Sequence, residues 1–276
     1  MDSPKVCGHY EHPTSKWHIA VRIADPWHPG DYFIYRMPEM FTINDERYLW
    51  QPAGAGCWPG VQPEAEPEWS LDNEQRATGY HVRFYDGIEL SASAEAGDME
   101  IRFGYVIKNG TDRVINVTTG SCFMTWNAPY FIDRRHERTF VVAQDATVAL
   151  RALTPTPEEL EKWSWISVGV GRPREAEVLE NRWSVREAAA HGLVCVKGRD
   201  GEYALGLGWA DAGAIHARST IPCIHSEPSY PSVEPGQSVE ATGKLYFSED
   251  GVPAILERFD SDLSEGAIGV KLRFHT

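Results

Sequence analysis

A histidine and a carboxylate lie two residues apart in the segment 223–238, at His225 and Glu227. In an extended chain, residues i and i+2 project from the same face, so these side chains are expected to lie side by side. An imidazole next to a carboxylate is suited to moving protons at a bound ligand, and Pro228 and Pro231 stiffen the chain that follows. We therefore predict acid–base catalysis at Glu227 and His225. An ordinary polar surface loop is the alternative.

A second group of polar and aromatic side chains lies in the segment 126–138. Trp126 is suited to stacking on a sugar ring, and Asn127 to hydrogen-bonding its hydroxyl groups. Arg138 is suited to holding a ligand carboxylate through paired hydrogen bonds, and His136 to transferring a proton. A uronic acid or aldonate would fit this mixture. The alternative is a polar loop whose charged side chains pair with one another.

One polar strand face and one further tryptophan complete the candidate residues. Alternation over 79–86 places His81 and Arg83 on the same strand face. Such a face usually meets solvent, but a segment covering it would make His81 a candidate proton donor and Arg83 a partner for a substrate carboxylate. Trp209, at the end of another predicted strand, is a second candidate for stacking on the ligand.

Metal and cofactor motifs are weak. His216, Cys223 and His225 lie close together in sequence, but they lack any standard spacing of zinc ligands. The chain also lacks a phosphate-binding loop and a dinucleotide fingerprint. The five cysteines form no closely spaced pairs, which favours reduced and buried thiols. We therefore predict no cofactor and no metal, with a metal-dependent enzyme as the less favoured alternative.

One motif begins with Glu227-Pro228 and a proline-rich stretch, and it continues with Pro235-Gly236-Gln237-Ser238 and a strand that contains Lys244. This pattern resembles the C-terminal part of the aldose-1-epimerases, the galactose mutarotase-like proteins. An earlier stretch, 101–116, is similar to the strand and turn of that family, with Lys108-Asn-Gly-Thr-Asp112 at its centre. The resemblance covers about half of the chain.

The resemblance implies a large antiparallel sandwich, called a supersandwich, and a catalytic glutamate at Glu227. Two histidine motifs that the family usually shows are missing here. The stretch 121–127, which is comparable to one of them, contains no histidine. His81 is the nearest candidate for the histidine of the other motif, which lies further towards the N-terminus in the family. The resemblance thus favours a sugar-sized groove without supporting mutarotase activity. We predict a carbohydrate-active protein that acts on a sugar or a uronic-acid-containing saccharide by epimerisation, elimination or hydrolysis. A non-catalytic carbohydrate-binding protein is the alternative.

The predicted elements are nearly all strands. Period-two alternation or apolar runs indicate strands at 79–86, 98–108, 113–119, 138–153, 202–209, 239–247 and 268–274. Asn109-Gly110 is typical of a hairpin turn between two of them. Two short helices are predicted, one starting at Thr156 and one over 252–263 on a sheet edge. These elements favour an all-β, antiparallel two-sheet β-sandwich as a single domain over 1–276, with a flap rich in Trp, Pro and Gly at about 44–78.

Charge and hydropathy limit the partners of the chain. Its 276 residues carry a formal net charge of −14, which repels phosphate backbones, so a nucleic-acid partner is not expected. The sequence contains no apolar run of 18 residues, which argues against a membrane partner. The polar N-terminus lacks an apolar signal core, so a cytoplasmic location is expected. The sequence leaves the oligomeric state open.

Overall fold

Two β-sheets packed face to face contain most of the regular structure. The structure is a computed structural model, and it describes residues 4–12, 15–50, 61, 63–72, 74–143, 146–154, 165–171, 178–179, 182–185 and 188–274. The strands are β1 Val6–His12, β2 Ser15–Ala24, β3 Tyr32–Ile43, β4 Glu46–Trp50, β5 Ser70–Leu71, β6 Ala77–Arg83, β7 Ile88–Ala96, β8 Glu100–Asn109, β9 Val117–Met124, β10 Thr139–Ala143, β11 Ala146–Ala149, β12 Trp165–Gly169, β13 Val178–Leu179, β14 Arg182–Ser184, β15 Leu193–Lys197, β16 Ala204–Trp209, β17 Ala212–Arg218, β18 Cys223–Pro228, β19 Gln237–Ser248 and β20 Gly269–Phe274. The helices are α1, Gly251–Glu265, and two short 3₁₀ turns, Pro129–Phe131 and Leu150–Leu153.

Each sheet draws strands from distant parts of the chain. In the first sheet the spatial order is β1-β2-β3-β9-β18-β17-β12-β14-β13, and β4 pairs with β3. In the second sheet the order is β11-β10-β15-β16-β19-β8-β7-β6-β5, and β20 pairs with β19. Pairing between these strands is antiparallel except for the parallel pair of β12 and β14. The predicted all-β, two-sheet sandwich is therefore confirmed.

The core lies between the two sheets because alternate residues of each strand face inward. Across the interface, the ring centroids of Tyr35 and Phe103 are 4.2 Å apart. The Tyr80 hydroxyl donates a hydrogen bond to the backbone carbonyl of Met37 at 2.5 Å. Burying an aromatic or aliphatic side chain of this size contributes about 1.5–3 kcal/mol. The inner faces therefore hold the sheets together, and the outer faces are left to carry polar groups.

The predicted hairpin at Asn109-Gly110 is wrong. β8 pairs with β7 and β19 in the second sheet, whereas β9 lies in the first sheet beside β3 and β18. The chain therefore crosses between the sheets after Asn109. The buried Asn109 amide donates to the carbonyls of Arg113 at 2.7 Å and Val233 at 2.9 Å. These side-chain bonds hold the crossing segment in place of a strand ladder.

Helix α1 confirms the predicted C-terminal helix, but it packs on a sheet face and not on an edge. Its buried side chains Val252, Ile255 and Phe259 contact the outer face of β15, β16 and β19. Gly208 on β16 makes this approach possible, since a Cβ there would lie 2.5 Å from the Phe259 ring. Within the parts of the chain that are described, no helix has both the length and the apolar character needed to cross a bilayer.

Two further predictions meet the limits of the described chain. The helix predicted from Thr156 lies outside the described residues. Part of the predicted flap at about 44–78 also lies outside them, at 51–60, 62 and 73. Its described parts include two strands that extend the sheets, Glu46–Trp50 paired with β3 and Ser70–Leu71 paired with β6. Val61 and Trp69 pack against the core, and the flap as a whole stays a prediction.

Candidate functional site

Charged and sulfur-containing side chains gather on the outer face of the first sheet. We call this group the outer cluster: Arg36, Glu39, Cys122, Trp165, His216, Arg218, Cys223, His225 and Glu227. Register explains how most of them share a face, because β17 and β18 pair His216 with His225 and Arg218 with Cys223. On the next strand, Trp165 pairs with Arg218. The residues between them in sequence point into the core.

The most accessible proton-transfer group of the outer cluster is Glu227. Its side chain is 25% exposed, and its Oε2 lies 3.3 Å from Nε2 of His216, whose side chain is 6% exposed. Gly120 on the adjacent strand β9 leaves space beside this carboxylate, since a Cβ at that position would lie 3.4 Å from Oε1 of Glu227. A carboxylate held by an imidazole, and still open to solvent on one side, is placed to exchange a proton with a ligand.

His225 lies deeper than Glu227 and has an acceptor near each ring nitrogen. Its Nε2 is 3.3 Å from Sγ of Cys223, and its Nδ1 is 4.0 Å from Oε2 of Glu39. Burial by itself lowers the pKa of His225, but the negative charges of Cys223, Glu39 and Glu227 raise that pKa to about 9. The structure thus places the predicted pair, His225 and Glu227, on one face. His225 is enclosed there, and Glu227 is accessible.

A bulge in β3 supplies a second carboxyl group. The pairing register between β3 and β9 shifts between Arg36 and Met40, so that extra residues of β3 stand against β9. A β-bulge changes the direction in which a side chain points, and bulges are common next to functional sites. The redirected residue is Glu39, whose Oε1 accepts a hydrogen bond from Arg36 at 3.0 Å. Burial raises the pKa of Glu39, although His225 and Arg36 act in the opposite direction.

An aromatic ring and three polar atoms without partners in the described chain lie on the same sheet face as the outer cluster. The Arg218 guanidinium lies 4.3 Å from the centroid of the half-buried Trp165 ring. The buried atoms Nδ1 of His216, Oγ of Ser167 and Nε of Arg218 have no hydrogen-bond partner among the described residues. A buried polar atom without a partner costs about 1–3 kcal/mol. Polar atoms of this kind are satisfied in most proteins by side chains, ordered water, ions or ligands, so these three mark a part of the sheet face with hydrogen-bonding capacity to spare among the described residues.

His136, a predicted proton donor, lies behind the outer cluster. It is 2% exposed, and it lines a cavity of about 10 Å³ together with Cys223, Arg218 and Asp133. Burial lowers the pKa of His136 to about 4, although Asp133 acts in the opposite direction. The ring is therefore neutral at pH 7 and enclosed, so His136 is not in a position to act as an accessible acid.

His81 and Arg83 lie on the outer face of the other sheet, away from Glu227. Both side chains are 55% exposed. Nδ1 of His81 is 2.9 Å from Oγ of Ser91, and Nε of Arg83 is 3.4 Å from Glu64. The structure does not bring either residue to the outer cluster. Both lie on an exposed polar strand face, and this position does not support their predicted roles as proton donor and carboxylate partner.

Arg138 and Trp209 contact other parts of the chain, and they do not lie where the ligand-binding roles predicted for them would require. The Arg138 guanidinium donates to the backbone carbonyl of Lys197 at 2.5 Å and to that of Ile132, so both terminal nitrogens are held by the chain itself. Trp209 is 1% exposed and stacks on Tyr105 in the core, with centroids 5.3 Å apart. Its strand directs the indole inward, where a ligand has no access.

Trp126 and Asn127 lie in the turn that precedes the 3₁₀ helix Pro129–Phe131. Trp126 is 42% exposed. Asn127 is half-buried, and its backbone carbonyl accepts a hydrogen bond from the Tyr32 amide at 3.2 Å. Neither residue is among the contacts of Glu227 or His225 described above, and their predicted role in binding stays a prediction.

Sequence reasoning missed most of the outer cluster. Pro38 inside an apolar run was a usable signal, because proline within a sheet favours a bulge, and the bulge presents Glu39. A second usable signal is the short connection 219–222, which ends in a proline and is of a length typical of a hairpin that would pair His216 with His225. Cys122 and Trp165 had no comparable signal. Their strands are distant from Glu227 in sequence.

Comparison with known proteins gives similarities of structure only. No protein-family model matches the sequence, and no curated protein matches it. A galactose mutarotase related enzyme from Lactobacillus acidophilus is similar in structure, with 9% identity, a TM-score of 0.44 and coverage of 89% of this chain and 99% of that one. A galactose mutarotase-like protein from Lactobacillus casei has 10% identity, a TM-score of 0.43 and coverage of 88% and 100%.

A third similar structure is an enzyme of glycoside hydrolase family 97 from Pseudoalteromonas, solved in complex with panose. It has 11% identity and a TM-score of 0.44, and the alignment covers 90% of this chain and 34% of the hydrolase. The chain therefore corresponds to about a third of that enzyme. Two of these three structures are galactose mutarotase-related by name.

Proposed function

We propose that the protein is a carbohydrate-active enzyme in which Glu227 transfers a proton at a bound sugar. The observation that supports this most strongly is the Glu227–His216 pair, 3.3 Å apart, with the carboxylate partly open to solvent. The unpaired buried atoms of His216, Ser167 and Arg218 lie on the same sheet face. Glu227 thus offers a ligand with several hydroxyl groups a partly exposed carboxylate, and the polar atoms beneath this face have hydrogen-bonding capacity that the described residues do not use.

Glu227 is proposed as the general base and Glu39 as the partner acid. His216 holds the Glu227 carboxylate, and Arg36 holds that of Glu39. Burial raises the pKa of Glu39, which is the direction that a general acid requires, although His225 and Arg36 act in the opposite direction. Two carboxyl groups in different environments are a common arrangement for acid–base chemistry on sugars. The base accepts a proton from the substrate, and the acid gives one to the oxygen that leaves or to the ring oxygen.

A sugar is the proposed substrate because of the ring and the arginine beside the two carboxyl groups. Trp165 is half-buried next to His216 and His225, with ring centroids 6.1 Å and 5.2 Å away. Indole rings provide flat apolar surfaces for the faces of sugars. Arg218, over that ring and with an unpaired Nε, is suited to a uronic acid carboxylate. Epimerisation, elimination and hydrolysis are all compatible with this set of groups.

The test is a panel of neutral sugars and uronic-acid-containing saccharides followed by nuclear magnetic resonance, with Glu227→Gln as the key variant. Loss of the carboxylate is expected to slow turnover by roughly 100-fold or more, in line with the usual contribution of a general base. Glu240→Gln is the matched control, since Glu240 lies on the other sheet and pairs with Arg273 at 3.1 Å. Full activity in Glu227→Gln would contradict the proposal. Saturable sugar binding without turnover in the unmodified protein would favour a non-catalytic binding protein.

A further inference from the structure

Two cysteines and a histidine converge beneath the accessible carboxylates. One ligand atom each from Cys122, Cys223 and His225 lies within 4.8 Å of the other two. The three residues are 3%, 5% and 1% exposed. Cys122 comes from β9, and the other two come from the adjacent strand β18, so paired backbone fixes all three. Converging thiols and an imidazole on rigid strands are the ligand set that soft and borderline metal ions prefer.

We propose that Cys122, Cys223 and His225 bind a single zinc ion through two thiolates and one imidazole nitrogen. Nε2 of His225 is the nitrogen that faces Sγ of Cys223, at 3.3 Å. Its Nδ1 points to Glu39. Zinc-bound histidines commonly present the nitrogen that does not bind metal to a carboxylate or a carbonyl, which orients the ring. The side chains therefore supply ligands and also the group that orients one of them.

The surroundings of the thiols favour a bound divalent cation. Apolar side chains enclose Cys122 and Cys223 in a small cluster with Ala20, Ile34 and Met124. Two thiolates balance the charge of a zinc ion, so the ion and its ligands are close to neutral within this apolar shell. Three protein ligands leave one coordination position for water or substrate, as in zinc sites that take part in catalysis. This inference does not depend on the proposed sugar chemistry.

The experiment measures metal binding directly, without an enzyme assay. Tag-free protein is purified under reducing conditions, stripped with a chelator and titrated with Co²⁺, which reports thiolate ligands through an intense charge-transfer band. We expect one Co²⁺ per chain and displacement of the band by one equivalent of Zn²⁺. Cys122→Ser and Cys223→Ser should each bind the metal about 100-fold more weakly or worse, because losing a group that binds the metal costs at least as much affinity as losing a group that only orients a ligand.

Cys195→Ser is the matched control, because Cys195 is a buried free cysteine that packs beneath α1 on the second sheet. It should bind Co²⁺ like the unmodified protein. Absence of the charge-transfer band in the reduced, unmodified protein would overturn the proposal, and this measurement does not depend on any variant folding. An unchanged band in Cys223→Ser, with native circular dichroism, would overturn it as well.

Discussion

The outer faces of the two sheets both carry buried charged groups, but the two faces differ in how completely these groups are paired. Under α1, on the second sheet, Lys244 lies 2.9 Å from both Glu100 and Asp262. Tyr246 donates to the other oxygen of Asp262 at 2.7 Å, and Arg258 donates to Glu100 at 2.9 Å. The charged groups of this network are paired with one another, and α1 covers them.

On the first sheet the outer cluster is only partly satisfied. Buried atoms of His216, Ser167 and Arg218 lack partners in the described part of the chain, although Glu227 and Glu39 lie on the same face. A satisfied buried network rigidifies a fold, whereas an unsatisfied one costs free energy that natural proteins tolerate mainly at functional sites. The second-sheet network is thus structural, the first-sheet face is the proposed ligand site, and mutations on the two faces should have opposite effects.

The largest expected effect is on stability, from Asp262→Ala in the second-sheet network. This change removes the shared partner of Lys244 and Tyr246, and breaking a buried ion pair costs about 3–5 kcal/mol. Urea unfolding measures the free energy of unfolding. Glu240→Ala, which removes an exposed pair with Arg273 on the same sheet, should cost about 0.5 kcal/mol or less. A loss below that of the control would show that the network is not structural.

A pH-dependent effect is expected at His136, which lies between the core and the outer cluster. Its pKa is lowered to about 4 in the folded state, so the unfolded chain binds the proton more tightly between pH 4 and the ordinary value of about 6.5. The contribution of this group to stability is therefore present above that range and is lost as the pH falls through it, by about 3 kcal/mol.

The measurement compares the unmodified protein with His136→Gln by urea unfolding at several pH values between 4 and 7. The difference in unfolding free energy between the two proteins should shrink as the pH falls. His81→Gln is the control, because the side chain of His81 is 55% exposed. A constant difference between the unmodified protein and His136→Gln across this range would mean that His136 is not held neutral by burial.

A smaller pair of effects separates activity from stability. His216→Gln should reduce turnover about 10- to 100-fold, since it removes the imidazole that holds Glu227. Its unfolding free energy should change by about 1 kcal/mol or less, because Nδ1 already lacks a partner. Tyr246→Phe should do the reverse, with a loss of about 1 kcal/mol of stability and unchanged turnover. Equal losses of activity in both variants would remove the distinction between the two faces.

The sequence predicted those features that depend on alternation along one strand. The alternation over 79–86 is present, since Tyr80, Val82 and Phe84 are buried in the core while His81 and Arg83 are exposed. His225 and Glu227 lie together on an outer face, as their spacing predicted. A period of two is a local property, so it can be read without knowing the partner strand. The same reasoning found α1, whose apolar residues repeat at helical spacing.

The features that the sequence did not predict depend on which strands pair. Glu39, Cys122 and His216 lie on three different strands, and their convergence on His225 follows from the order β3-β9-β18-β17. Nothing local in the sequence shows that order. The direction of Trp209 was also not predictable from the sequence. The strand carries glycines at 206 and 208, so its alternation does not show which face points into the core. In the structure, Trp209 is on the buried face.

Gly120, which no motif marked, gives the smallest expected effect and tests how a ligand approaches Glu227. A Cβ at this position would lie 3.4 Å from Oε1 of Glu227 and 3.5 Å from Cβ of Met40, which is ordinary contact, so Gly120→Ala should change stability by about 0.5 kcal/mol. The added methyl group occupies space beside the carboxylate, and KM should rise a few-fold while kcat changes less. Gly104→Ala, on the outer face of the second sheet, is the matched control, since its Cβ would meet only the movable Ser93 hydroxyl. An unchanged KM in Gly120→Ala would mean that the substrate reaches Glu227 from another side, and the proposed placement beside β9 would have to be abandoned.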